Sequence, residues 1–405
     1  MSSCLICKSA IEPFFSFGKM PIANGFLKAE DFSEEYFFEL KVAFCGQCGM
    51  VQLAELVDAK RMFHENYAFF SSTSTGMQRH FRDFAKDVQS NYLTEDPFVV
   101  EIGSNDGIML ENFAQAGIRH LGIEPSINVA RVAQAKGVRT ESAFFDSAFA
   151  TRILTVDGQV DAFVGANVMC HIADIHSVFK GVKLLLKPKG VLIFEDPYLG
   201  DIVTKTSYDQ IYDEHAFYFS IVSVSNLGEL HELELIDVQP QTVHGGSMRY
   251  VLAHRGAFPV SQSVIDLRKK EHDLGLDRPE TYSMLARNIE RSRGELRDLL
   301  EDLKSRGKRV VGYAATSKST TVTNYCGITS DLIEFISDTT PIKQGKYSPG
   351  THIPVRPYQV FEEHYPDYAL LFGWNHANEI MAKEQKFRAA GGKWIVYVPR
   401  VEVIE

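Results

Sequence analysis

No stretch of this 405-residue chain is apolar for long enough to cross a membrane. Charge or glycine interrupts every hydrophobic run well short of the roughly 20 residues a spanning helix needs. No secretory leader is recognised at its start. A basic surface is also missing. Lys and Arg total 42 against 52 Asp and Glu, a formal charge of −10, which argues against binding nucleic acid through the phosphate backbone. Cysteines are few, six in all, and their spacing suits metal ligation in a reducing compartment better than a disulfide framework. The G-x-G-x-x-G fingerprint of dinucleotide binders does not follow the strand where it would be expected. The expectation is a cytoplasmic acidic enzyme with no nucleic-acid or membrane partner and an open oligomeric state.

What stands at that strand is Phe98-Val-Val-Glu-Ile-Gly-Ser-Asn-Asp-Gly107, followed by apolar residues at helical spacing and by a second short apolar run ending in Glu124-Pro125. The pattern predicts a strand, loop, helix and strand, with the loop at the sheet edge where open α/β folds bind ligands. Gly103 and Gly107 permit close backbone approach. Asp106 between them would repel a pyrophosphate and suit a neutral or cationic ligand. S-adenosylmethionine (SAM) combines sulfonium and ammonium charges with a ribose that Glu124 is placed to bind. Taken alone, the loop also admits a structural turn carrying an incidental acid, the lesser of the two readings.

Strand and helix patterns alternate from Phe98 to about 195, predicting a parallel, doubly wound sheet. The expected strands are 98–102, 119–124, 160–165 and 189–195. The expected helices are 76–93, 108–116, 127–136 and 173–186. Asn167 and His171 follow the third strand and fall at the same edge. Around residues 260–307 the sequence predicts a charge-rich connecting helix. A second βα unit follows, with strands at Arg309, Leu332–Asp338, Tyr368 and Lys393, and its resemblance in order to 98–124 suggests a duplication.

Cys4-Leu-Ile-Cys7 and Cys45-Gly-Gln-Cys48, 37 residues apart, form two tight-turn pairs that can close a structural Zn2+ site with no open coordination position. The Ser/Thr-rich, aromatic stretch 65–75 reads as a ligand cover or as a linker ending in a helix cap. Tyr212-Asp-Glu-His215 crowds titratable groups before an aromatic patch. His215 suits a general base, although a buried histidine satisfied by a nearby carboxylate would look the same. His244-Gly-Gly-Ser-Met-Arg249 is a Gly-Gly turn fit for a polar or anionic ligand, or a solvated hairpin. The loop at Lys318 opens a helix and suits phosphates.

Taken together, the two Cys-x-x-Cys pairs, Glu-Ile-Gly-Ser-Asn-Asp-Gly, Tyr-x-Glu-His-x-x-Tyr-Phe-Ser, His-Gly-Gly-Ser-x-Arg and Lys343-Gln-Gly-Lys346…Pro349-Gly-Thr-His-Ile-Pro354 resemble the SAM-dependent C-methyltransferases of nucleotide-linked 4-keto-6-deoxy sugars. The resemblance implies a zinc module at 1–66, a Rossmann-like SAM domain at 67–255, and a second Rossmann-like domain at 256–405 that anchors a TDP- or GDP-linked sugar. It implies catalytic roles for His215, Glu214, Tyr212, His171 and Tyr67. The family pattern near Tyr67 is Tyr-x-Tyr; here it is Tyr67-Ala-Phe69, so only the first hydroxyl is present. The implied cofactor contacts are Glu101, Gly103, Asn105, Asp106, Gly107, Glu124, Pro125, Phe144, Phe145 and Asn167. The implied substrate contacts are His244, Ser247, Arg249, Lys318, Asn324, Lys343, Lys346 and His352, and the zinc ligands are Cys4, Cys7, Cys45 and Cys48. The chemistry implied is removal of the C-3 proton by His215 and methylation of the resulting enolate. A SAM-dependent O- or N-methyltransferase, and a zinc-knuckle scaffold with an inert SAM fold, are the other readings.

Overall fold

A computed structural model describes residues 2–58 and 75–405. Tyr67 and the hydroxyl-rich stretch up to residue 74 lie outside the described residues.

The N-terminal part is a small antiparallel sheet of β1 (Pro13–Pro21), β2 (Phe37–Phe44) and β3 (Val51–Leu53). After α1 (Thr75–Asn91) the doubly wound region begins. Its elements are β4 (Phe98–Ile102), α2 (Leu110–Gln115), β5 (Arg119–Ile123), α3 (Ile127–Ala135), β6 (Thr140–Glu141), α4 (Ser147–Val156), β7 (Val160–Ala166), α5 (Ile175–Leu185) and β8 (Leu186–Pro197). Then α6 (Leu199–Lys205) leads to β9 (Phe217–Tyr218), α7 (Ile221–Glu229), β10 (Leu233–Gln241) and β11 (Ser247–His254).

Seven of these strands form one sheet in the order β10-β11-β8-β7-β4-β5-β6, and only β11 runs against the rest. The β4 run FVVEI is buried at every position. Phe98, Val100 and Ile102 pack into a cluster with α4 and α5, whereas Val99 enters another with α1 and α2. A parallel strand covered on both faces has this nearly continuous apolar run, broken here only by Glu101 near its end.

β9 does not join that sheet. It pairs antiparallel with β3, Phe217 opposite Gln52 and Tyr218 opposite Val51. The N-terminal sheet is therefore four-stranded, and its last strand comes from beyond the expected 1–66 boundary.

The single connecting helix expected over 260–307 is two helices, α8 (Gln262–Leu274) and α9 (Pro279–Ser305). Gly275, with φ +73°, caps the first in a left-handed conformation, and Pro279 starts the second. A six-stranded sheet follows: β12 (Val310–Tyr313), β13 (Ile336–Asp338), β14 (Val355–Pro357), β15 (Tyr368–Leu371), β16 (Lys393–Val396) and β17 (Glu402–Ile404), with α10 (Ser317–Tyr325) after β12. Its order is β14-β13-β12-β15-β16-β17, parallel except for β17. Phe15, Phe17 and Leu40 of the N-terminal sheet share one core cluster with Tyr282, Ile289 and Val322 of this C-terminal region. The cysteine pairs pack instead with the seven-stranded sheet. The three regions are thus joined through shared apolar cores.

Candidate active site and cofactor crevice

At the end of β4 the chain reverses through three left-handed residues, Gly103 (φ +62°), Asn105 (φ +48°) and Gly107 (φ +80°). A Cβ on Gly103 would lie 2.6 Å from the Val168 side chain, so glycine is required there both by conformation and by space. Asn105 donates its backbone N–H to Glu124 Oε2 (3.0 Å), and Ser126 donates to Oε1 (2.8 Å). Glu124 is therefore fixed by two amides at the tip of β5, with further lone pairs for a ligand.

Glu101 and Asp106 lie in the same crevice, both buried. Burial, together with the charges of Glu124 and Asp106, holds the Glu101 carboxyl well above the usual carboxylate range. Burial likewise raises Glu124. Glu101 Oε2 has no hydrogen-bond partner among the described residues. Lys136 Nζ lies 3.5 Å from Asp106 Oδ2. An acidic crevice whose Glu101 carboxyl keeps an oxygen without a hydrogen-bond partner among the described residues suits a ligand that brings positive charge, as SAM does. Asn167 (φ +54°) ends β7 across the switch point and donates its N–H to the Glu195 carbonyl (2.7 Å). Pro125 follows Glu124 at the same edge. Of the two phenylalanines expected near adenine, Phe144 is exposed, but Phe145 packs on Phe163 (centroids 4.8 Å apart) and beside Gly181 in the core.

The motif loop 208–218 lies where the three regions meet. His215 is buried; its Nδ1 lies 2.8 Å from the Gln210 carbonyl and its Nε2 2.8 Å from the Tyr212 hydroxyl. A carbonyl only accepts, so Nδ1 carries the proton and Nε2 presents a lone pair to Tyr212. Burial, with the charge of His171 next, pushes His215 well below its ordinary pKa and keeps the ring neutral. His171 stacks beside it, centroids 5.2 Å apart, and burial lowers its pKa to about 4. His244 (φ +54°) is lowered to about 3, chiefly by burial and next by Lys318. Cys170, His171 and His215 bring donor atoms within 4.8 Å of one another, but both His215 nitrogens are engaged, so this cluster is not read as a metal site.

The carboxylate expected to assist His215 faces elsewhere. Glu214 accepts from the Asn24 amide (2.6 Å) and Asp213 from the Ala23 N–H (2.9 Å). The Gln210 carbonyl orients the imidazole instead. Asn24 and Gln210 carry no motif signature, and sequence reasoning missed both.

Several residues expected to touch substrate are engaged within the protein. Arg249 is buried, 2.6 Å from Glu195 Oε1, with its guanidinium 3.9 Å over the Phe84 ring. Glu195 also receives His80 of α1 (2.6 Å), which sequence reasoning did not single out. Arg249 is a strut between α1 and the sheet, not an open anion contact. Ser247 donates to the Val243 carbonyl (3.2 Å), and Asn324 to those of Thr320 and Pro349. His352 stacks on Phe32 (3.6 Å) and lies 2.7 Å from Glu35 Oε2, docking the Pro-Gly-Thr-His loop onto the N-terminal region.

Lys318 and Lys343 remain near the motif loop. Lys318 Nζ lies 5.1 Å from the Trp374 ring centroid and 3.3 Å from Asn375 Oδ1. Lys343 donates to the Ala315 carbonyl (2.8 Å) over the Phe26 ring. Burial lowers the pKa of each. Lys346 is half-buried on the same loop as Lys343.

The cysteines converge as their spacing requires. Cys4 Sγ is 3.6 Å from Cys48 Sγ, Cys7 Sγ is 3.4 Å from Cys45 Sγ, and all four fall within 4.8 Å of one another. Tetrahedral zinc–thiolate bonds of about 2.3 Å place sulfurs about 3.8 Å apart, so the set fits Zn2+. The two turns match: Lys8 and Gly49, each four residues after its first cysteine, are left-handed and return an N–H to that cysteine's carbonyl. A cavity of about 1010 Å3, lined by Gly49, Val222, Leu235, Arg268 and Glu271, meets the zinc turns at Gly49 and is lined by none of the four cysteines.

Family models match in the same succession: a zinc binding domain over residues 4–63, a methyltransferase domain over 77–238, and a C-methyltransferase C-terminal domain over 242–399. The C-methyltransferase NovU of Streptomyces niveus is 37% identical over 392 residues, covering 96% of this chain and 93% of that one. The chain belongs to the C-methyltransferase family. The methyltransferase is SAM-dependent and carries a four-cysteine zinc-binding module. Among solved structures, the magnesium protoporphyrin IX methyltransferase of Synechocystis PCC 6803 with bound SAH overlaps 44% of this chain and 84% of its own (15% identity, TM-score 0.35). A SAM-dependent methyltransferase from Clostridium acetobutylicum overlaps 44% and 92% (14% identity, TM-score 0.34). No described helix is long and apolar enough to cross a membrane.

Proposed function

We propose that this methyltransferase adds a methyl group to C-3 of a nucleotide-linked 4-keto-6-deoxy sugar, with His215 as the base. The observation that carries the reading is the state of His215: neutral, buried, its Nδ1 proton tied to a carbonyl and its Nε2 lone pair facing Tyr212. A ketone at C-4 acidifies the C-3 hydrogen. Nε2 takes that proton, and the Tyr212 hydroxyl, released from Nε2, donates to the enolate oxygen beside His171. SAM, when bound, supplies the electrophilic methyl group that the enolate carbon takes. Glu101, Asp106, Glu124 and Asn167 hold that cofactor, with the Gly103–Gly107 turn against it and Phe144 and Pro125 at its edge. Zn2+, when bound to Cys4, Cys7, Cys45 and Cys48, crosslinks two turns and takes no part in the reaction.

In this reading residues 1–66, 67–255 and 256–405 act as zinc module, SAM domain and sugar-nucleotide anchor. Lys318 and Lys343 meet the diphosphate of a TDP- or GDP-linked sugar, with His244 and Lys346 nearby and Tyr67 as a further hydroxyl. Lys318 and Lys343 are both half-buried, and desolvation lowers the pKa of each, which favours pairing with a dianionic partner. Glu214 acts through Asn24, setting the loop against the N-terminal region.

Enolisation tests the proposal directly. The enzyme is incubated in heavy water with S-adenosylhomocysteine and each candidate keto sugar, and C-3 is followed by NMR. Deuterium wash-in that disappears in His215→Asn is the expected result. Absence of exchange with every such sugar would move the acceptor to another carbon acid.

A further inference from the structure

Asp209 lies on the 3-10 turn Tyr208–Gln210, wholly buried. Its Oδ2 accepts from Trp374 Nε1 (2.6 Å) and from the Tyr397 hydroxyl (2.7 Å), both in the C-terminal region. Its Oδ1 has no hydrogen-bond partner among the described residues, and the Lys318 ammonium is the cation whose field reaches it. Burial raises the Asp209 pKa, and the nearby Lys318 charge and the two hydrogen bonds offset that only in part, so apolar packing would join two domains more cheaply. The next residue is Gln210, whose carbonyl receives the His215 Nδ1 proton. Trp374 reaches further. A Cβ on Gly245 would lie 2.4 Å from its ring, and Lys318 lies over the ring face. One side chain of the C-terminal region therefore touches the His215 loop, the His-Gly-Gly-Ser turn and the half-buried Lys318.

We infer that Asp209 is a positioning residue: by gripping Trp374 and Tyr397 it fixes the turn that aims the Gln210 carbonyl, so docking of the C-terminal region sets the His215 tautomer. This rests on the reading of His215 as the base. Without the grip, the carbonyl swings from Nδ1, the proton redistributes between the ring nitrogens, and the fraction of enzyme with a free Nε2 falls. The other groups facing the imidazole are Cys170, His171, Tyr212, Tyr218, His244 and Lys318. Asp209→Asn substitutes none of them but removes a charge that acts on Lys318, so the tautomer pattern, not the pH profile alone, is the deciding readout.

The test uses the full-length zinc-loaded protein with 15N-labelled histidine. His215 signals are identified by their loss in His215→Asn. In Asp209→Asn the 15N pattern of His215 should move from a single Nδ1–H tautomer toward a mixture. kcat should fall roughly tenfold or more, the worth of one charge-assisted hydrogen bond. KM for SAM should stay within about twofold, and the acidic limb of the pH–rate profile should shift. Trp374→Phe and Tyr397→Phe each remove one donor and leave the carboxylate, and each should give a smaller shift in the same direction, which keeps the test open if Asp209→Asn does not fold. An unaltered tautomer pattern and pH profile in these variants, whatever happens to kcat, would overturn the inference. Full turnover in His215→Asn would instead bring down the base assignment and with it the catalytic consequence, while the tautomer signal still reports on positioning alone.

Discussion

His215 and Asp196 experience the same burial with opposite results. Desolvation disfavours charge, so the imidazole is held neutral by a lowered pKa, while Asp196, with Glu195 beside it, is raised to about 8. His215→Asn preserves much of the shape and removes the lone pair at Nε2. It should cut turnover by about 10²–10⁴-fold, the contribution of a general base, with SAM affinity by calorimetry near that of the parent. Asp196 gives a stability prediction. Its folded pKa lies above its unfolded value, so between about 4 and 8 the folded state holds the extra proton and stability falls as pH rises. Glu271, raised by burial to about 7, adds to the fall below that pH. His171 and His244, depressed to about 4 and 3, act oppositely, but only below the ordinary histidine pKa. Asp213, raised to about 8 by burial and then by the charge of Glu214, acts in the same sense as Asp196. The slope between pH 7 and 8 is therefore shared by the two aspartates, and melting curves of Asp196→Asn should be flatter across that interval than those of the parent without becoming level. At this scale the sequence displayed His215 and Tyr212 because their side chains carry chemistry. It could not display Gln210, which acts through a backbone carbonyl that every residue possesses.

Elements read well where local pattern and tertiary demand agree. The strand at 98–102 has the predicted ends because an apolar run stops at a glycine that must turn. The strand expected over Leu332–Asp338 keeps only Ile336–Asp338, since Leu332 and Ile333 close a turn on Thr329. The helix Ser147–Val156 and the short strand Thr140–Glu141 were not anticipated, the latter because two residues cannot show a period. The sharpest miss is β9. Phe217-Tyr218 reads as an aromatic patch, and nothing local says that its partner is Val51-Gln52. Glycine at 245 gives the prediction at this scale. It has φ +89° and a tryptophan ring where its Cβ would be. Gly245→Ala should therefore lower stability by about 1–3 kcal/mol in denaturant titrations. It should also alter Trp374 fluorescence, which can be isolated in a Trp394→Phe background because the chain has only two tryptophans.

Across the whole molecule, the motif loop is held from both sides. Ala23, Asn24 and Leu53 of the N-terminal region bond to Asp213, Glu214 and Ala216, while Thr321 of α10 bonds to the Ile211 carbonyl. Loss of zinc should therefore be felt at the reaction centre. Cys45→Ser should lower zinc content by atomic absorption, lower the melting temperature by several degrees, and reduce turnover even though no cysteine of the module bears on the proposed chemistry. Full activity in a stable, zinc-free Cys45→Ser protein would contradict that coupling.

The pairing of β9 with β3 also bears on how the chain is made. Some ~160 residues separate Leu53 from Phe217, and at ribosomal rates of about 5–20 residues per second they take roughly ten to thirty seconds to emerge. Throughout that time the module's outer strand is an uncovered edge, open to pairing with other nascent chains. Slower translation lengthens this exposure. Yield in cells should depend on elongation speed between those two points, and on chaperones that shield an edge until its partner arrives.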